Sequence, residues 1–261
     1  IEAARFLIKQ GVYSADNLPY NTQFIPLAAI FAYDLSHQHL LTNLPNLTKL
    51  SKWYWCGVFG ELYGSANETR YASDIKDFFL WLSDDNVLPD TVSRSSFHAT
   101  RLLSLQTRNS AAYKGVMALL LQDEPLDFLT AGKMTVATYT SENTDIHHIF
   151  PACERHNLPR EKWNSVINKT MIYASTNRSI GGVAPSRYIQ TILNHKINRD
   201  DLIHAISTHK INFNLLNEDN FDEFIIDRAI KLADRIEKAI GKSISGRDSE
   251  DTIREFGIAL I

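Results

Sequence analysis

Two short runs of this chain, residues 144–150 and 165–174, are rich in Ile, Val, Thr and Tyr and read as extended segments. Almost everything around them spaces its apolar residues as helices do. A strand pair set in a helical chain must be held by those helices, because an isolated two-stranded hairpin is marginal in water. The expected fold is therefore mainly α, a helical domain with one small mixed element embedded in it. Residues 1–140 are expected as a helical scaffold, 141–198 as the mixed element, and 199–261 as C-terminal helices packing on the scaffold.

The helical signals are specific. Residues 21–33 carry the apolar spacing of a buried helix, and 74–82 carry Phe78, Phe79 and Trp81. Ser110 is placed to cap a helix over 111–122, whose run 116–121 is almost uniformly apolar and so belongs to the core. Near the C-terminus Phe221, Phe224, Ile225, Leu232, Ile236 and Ile240 recur at helical spacing. Asn220 with Glu223 resembles a capping box there, and Gly241 is a natural stop. Residues 245–250 are polar and read as a loose connection. The aromatic cluster Trp53, Tyr54, Trp55, Phe59 and Tyr63 has base-stacking chemistry, but its helical spacing favours a place in the core.

In the mixed element, Ser175 can cap a short helix starting near Thr176, which puts Asn177 in its first turn. Gly181 and Gly182 end that helix, and Pro185 opens the next, over 186–193. The excursion 151–164 has room for one helical turn or two. The order is strand, excursion, strand, short helix.

The first run ends in Asp145-Ile146-His147-His148-Ile149-Phe150-Pro151, and Asn168 and Asn177 follow. These residue types suit phosphodiester hydrolysis. A neutral imidazole, with an ordinary pKa of about 6.5, takes a proton from water at neutral pH. A divalent metal stabilises charge on the transition state and the leaving oxygen. One histidine cannot be both ligand and base, so the adjacent pair divides the work: His147 to bind metal, His148 to face the water. Asn177 supplies a neutral oxygen ligand, and Asn168 can hold the second ring nitrogen of His148. Asp145, two residues from His147 on the same strand face, can orient that ligand. Adjacent strand residues point to opposite faces, so both histidines serve one site only where the strand bends or ends, as Pro151 encourages.

With these residues in place, DIHHIFP followed by INKTMIYASTNRSIGG resembles the HNH (ββα-metal) endonucleases. More narrowly it is similar to the C-terminal nuclease half of GmrSD-type modification-dependent restriction endonucleases of phage defence. The matching core covers about residues 145–188, with weaker similarity in LPYNTQFIPLAAIF and FDEFIIDRAIKLADRIEKAIG. The resemblance implies His147 as first metal ligand, His148 as general base, Asn168 as the residue orienting it, and Asn177 as the second ligand. Many members have Asp where His147 stands, which opens the choice of metal among Mg, Mn, Ni, Co and Zn. It implies DNA, double-stranded, as substrate, and a nucleotide-handling and specificity half that has no counterpart here. The chain begins at Ile1 without a methionine and reads as a fragment of a longer protein.

Net charge is −3, which does not announce a nucleic-acid binder. Residues 145–210 nevertheless hold nine Lys or Arg against five Asp or Glu, and six of the nine histidines. A locally positive surface is what phosphate contact needs, with Lys169, Arg178 and Arg187 the candidates. Arg70, Arg94, Arg108 and Lys114 resemble ordinary surface charges. His156, His195, His204 and His209 lack ligand spacing and read as structural.

Cys56 and Cys153 stand alone and far apart, which argues against a zinc ribbon and fits a reducing cytoplasm. Cys153 is expected as a small residue in a short helix after Pro151. No stretch is long and apolar enough to cross a membrane, and no secretory signal opens the chain. Two other classes stay open: a catalytically inactive HNH-like module that binds DNA or a partner, and an RNA-cleaving toxin with the same metal centre.

Overall fold

The computed structural model describes residues 1–261 except 38, 66–67, 152–158 and 196. The expectations for Cys153 and His156 fall outside the described residues.

Helix ends follow local chemistry. Ser110 Oγ accepts the Tyr113 N–H and starts the helix Ala111–Gln122. The Asn220 side chain accepts the Glu223 N–H and starts the 20-residue helix Phe221–Ile240, which Gly241 ends at φ +65°. The helices expected at 21–33 and 74–82 extend to Asn21–His37 and Glu68–Ser83. The fold is mainly helical, with one two-stranded antiparallel sheet among the described residues.

The helix Leu44–Phe59 lies at the centre, against Phe221–Ile240 on one side and Ala111–Gln122 on another. Trp53, Tyr54, Trp55, Phe59 and Tyr63 are all buried, so the aromatic cluster is core and not a base-stacking surface. Each such side chain removed from water contributes roughly 2–3 kcal/mol. Gly115 permits the close approach of two of these helices, since a Cβ there would lie 2.8 Å from Val58 Cγ1. A single cluster of buried apolar residues runs from Ala3 to Leu260 and takes in all three expected segments.

The hairpin is β1 (Thr144–His148) with β2 (Lys169–Tyr173), paired Thr144 to Tyr173 through His148 to Lys169. The second strand begins later than the residue types suggest. Residues Val166–Asn168 form a 3₁₀ turn instead, so Asn168 precedes the strand. The excursion contains one short helix, Arg160–Trp163, among its described residues. The helix carrying Asn177 spans Ala174–Ile180, two residues earlier than expected, without a side-chain cap from Ser175. The helix after it is Pro185–Asn194.

One polar contact ties the C-terminal helices to this element. Arg228, fully buried on Phe221–Ile240, donates to the carbonyls of Ile167, Val166, Lys169 (2.9 Å) and His209 (3.2 and 3.3 Å). It meets no carboxylate among the described residues, and burial pulls its pKa down to about 9. The connection after Gly241 is not loose either. Ser245 pairs with the backbone at Phe97 and Ala99 (2.8 and 2.9 Å), and Arg247 is held by Asp234 and Glu237.

Candidate active site

Strand alternation sorts the hairpin side chains into two faces. Asp145 and His147 point with Thr170 toward the Ala174–Ile180 helix, where Asn177 meets them. Ile146 and His148 point the other way, with Lys169 and Met171 as their cross-strand partners.

On the first face, His147 Nδ1 lies 3.0 Å from Asn177 Oδ1, and Asn177 Nδ2 donates to Asp145 Oδ2 at 3.3 Å. The chain thus brings together three predicted residues that are 32 positions apart at their extremes. Phe128 and Tyr188 close over the imidazole edge-to-face, at centroid distances of 6.4 and 5.7 Å. Burial holds its pKa down to about 4, against a small opposing effect from Asn177. His147 is therefore neutral, the form in which a ring nitrogen can donate its lone pair to a metal. Its Nε2 is buried and without a hydrogen-bond partner.

These donors suit a divalent cation. Two cis ligands of an octahedral ion, each at about 2.1 Å, stand about 3.0 Å apart, and the Nδ1–Oδ1 separation is 3.0 Å. With the ring proton on Nε2, the Nδ1 lone pair and Asn177 Oδ1 address one point, and the Asp145 carboxylate is one hydrogen bond behind it. Asn177 and Asp145 are half-buried, so that point is reachable from solvent. The set depends on an amide oxygen. No three His, Cys, Asp or Glu side chains gather for a metal among the described residues.

A buried carboxylate that sequence reasoning missed fixes where Asn177 stands. Asp127 Oδ1 accepts from Thr176 Oγ1 (2.6 Å), the Leu129 and Thr130 N–H groups and Thr130 Oγ1 (each 3.1 Å), while Oδ2 accepts the Tyr173 N–H (2.9 Å). It thereby pins the first turn of the Ala174–Ile180 helix to a turn 46 residues earlier. His209 supports the same face. It bridges Thr170 Oγ1 and the Leu126 carbonyl, both at 2.7 Å, and burial drives its pKa to about 3. This agrees with its reading as a structural histidine.

On the second face, His148 is half-buried, with Nε2 3.3 Å from Asn164 Oδ1 and its ring against Trp163 at 5.8 Å. The orienting residue is Asn164, not Asn168. Asn168 is fully buried and works on the backbone. Its Oδ1 accepts the Phe150 N–H (2.9 Å), and its Nδ2 donates to the carbonyls of Phe150 (2.9 Å) and Trp163 (2.7 Å). Its own carbonyl takes the Ile149 N–H at 3.0 Å. Asn168 therefore fastens both ends of the excursion and positions His148 and Asn164 indirectly. Asn168→Ala orphans three buried backbone groups and should cost roughly 3 kcal/mol, read as a lower urea midpoint with an unchanged slope. An unshifted midpoint would refute this clamping role.

The three expected phosphate contacts separate. Arg178, directly after Asn177, and Arg187 are exposed. Lys169 is not at the surface: it is 5% exposed and its Nζ donates to the Gln106 carbonyl at 2.7 Å. Burial, with Arg108 nearby, lowers its pKa to about 8. A strand residue reads the same from sequence whether a helix covers its face or not, and here the Ala111–Gln122 helix covers it.

No family model and no solved structure matches the chain. It is similar to an uncharacterised protein of Methanocaldococcus jannaschii, 28% identical over 218 residues. That stretch takes in 80% of this chain and 36% of the relative, so the chain spans about a third of the relative's length.

Proposed function

We propose that this chain is a metal-dependent HNH-type endonuclease that hydrolyses DNA phosphodiester bonds, in the restriction of foreign or modified DNA. The observation that carries the reading is the convergence of His147 Nδ1 and Asn177 Oδ1 at 3.0 Å, from a strand and from the short helix that follows its partner strand. A histidine pair alone is weak; a pair whose first member faces an amide oxygen across a strand–excursion–strand–helix unit is a site. His147 and Asn177 hold the cation, with Asp145 fixing the Asn177 amide. A bound divalent ion supplies charge neutralisation at the scissile phosphate and the leaving oxygen. His148 takes the proton of the attacking water, with Asn164 setting its ring angle. Arg178 and Arg187, exposed beside the metal ligands, are placed to meet neighbouring phosphates.

The test is cleavage of supercoiled plasmid in EDTA and in Mg²⁺, Mn²⁺, Co²⁺ and Ni²⁺, for the parent and for His147→Asp. Imidazole suits transition metals and carboxylate suits Mg²⁺. The parent should prefer Mn²⁺, Co²⁺ or Ni²⁺ over Mg²⁺, His147→Asp should shift toward Mg²⁺, and EDTA should stop both. Identical metal profiles would remove His147 from the ligand set, and cleavage in EDTA would overturn the metal-dependent reading.

A further inference from the structure

The hairpin face that carries His148 is covered incompletely. Between it and the Ala111–Gln122 helix lies a cavity of about 100 Å³, lined on the strand side by Thr144, Ile146 and Met171. Pockets for drug-sized ligands begin near ~300 Å³, so this one suits a single small group and not a whole nucleoside.

Its polar lining is predominantly basic. Arg108 is exposed at its rim, in no ion pair among the described residues. Lys114 is half-buried and spends one donor on the Leu18 carbonyl at 3.1 Å, leaving two free. Tyr113 lies between them, with Lys169 Nζ 5.6 Å above its ring. The Ser110-capped end of the Ala111–Gln122 helix adds the positive end of its dipole. One carboxylate, the exposed Asp16, also lines the cavity. Three cations thus crowd one small volume, one of them buried with no carboxylate partner among the described residues, at an electrostatic cost that an anion would offset. Lys169 is the direct cross-strand neighbour of His148, and such pairs hold their Cβ atoms about 5 Å apart.

Building on the endonuclease reading, we propose that this cavity is a phosphate grip: Arg108 and Lys114, backed by Lys169, hold a backbone phosphate of the DNA strand next to the bond that His148 serves. The two exposed arginines on the metal side and this grip on the other would let the strand cross the hairpin edge between the two faces. No base contact is involved, so the grip sets register without reading sequence.

The experiment is equilibrium binding of a fluorescein-labelled duplex, with Ca²⁺ in place of the catalytic ion, over a KCl series. The proteins are the parent, R108Q, K114Q, the double variant, and R94Q as a control on a surface ion pair. One lost phosphate contact flattens the log K against log salt slope by about 0.9 and weakens binding about eightfold near 0.1 M salt. The double variant should show both changes, the single variants less, and R94Q neither, with unchanged melting temperatures throughout. Parent-like affinity and slope in a folded double variant would overturn the grip while leaving the endonuclease reading intact. A parent that neither binds nor cuts DNA would overturn both.

Discussion

A His148→Ala protein should fold, keep its metal affinity, and cleave DNA on the order of 10²–10⁴-fold more slowly than the parent. The magnitude is that of a lost general base. The selectivity comes from the geometry: His148 faces away from His147 and Asn177 and is half-buried, so its removal leaves the ligand pair and the core untouched. Only a ring contact with Trp163 and a hydrogen bond to Asn164 are lost from the fold. Asn164→Ala keeps the base and loosens its aim, so it should slow cleavage by about tenfold, the lower end of what orienting partners contribute. Single-turnover rates with saturating Mn²⁺, beside metal titrations of each variant, separate the two effects. Near-parental cleavage by folded His148→Ala would dismiss it as the base.

The largest loss of stability is expected from Asp127→Asn. The substitution keeps the shape of the side chain but replaces one of two accepting oxygens with a donor. Five donors point at this carboxylate, all in a buried setting. Whichever way the amide turns, an N–H group faces another donor, a mismatch that costs about 2–4 kcal/mol with the loss of charge assistance. Urea unfolding measures it. Because Asp127 fastens Tyr173 and Thr176, the helix presenting Asn177 should also lose its place, and the metal dissociation constant should rise with the instability. Parental stability in Asp127→Asn would show that the carboxylate does not hold this helix.

What could be read from the residues, and what could not, divides by the range of the interaction. Ser110, Asn220 and Gly241 act on groups three or four residues away, and each was legible. His147 and Asn177 were legible through residue type and spacing, although they meet across 30 positions. The burial of the Trp53–Tyr63 aromatics followed from helical period. Asp127, Asn164 and Arg228 left no such trace, because their partners lie in other elements and nothing near them in the chain marks the role. Asn168 was identified as important but assigned the wrong partner. An asparagine before a strand looks the same whether it serves an imidazole or a backbone turn, and only the path of the excursion decides. Lys169 was misplaced for a similar reason: alternation tells which face a residue takes, not what covers that face.

Arg228 has a consequence for modularity. Its guanidinium supplies the donors for carbonyls at residues 166, 167 and 169, in the turn that leads into β2. Those donors come from a helix that begins more than fifty residues later. The hairpin is thus not a portable cassette. Excised, or transplanted onto another scaffold without the Phe221–Ile240 helix, it would carry a row of unanswered carbonyls directly beneath the proposed base. Any shuffling of this unit among proteins must move the distant helix along with it, so what is inherited together here is a contact and not a contiguous segment.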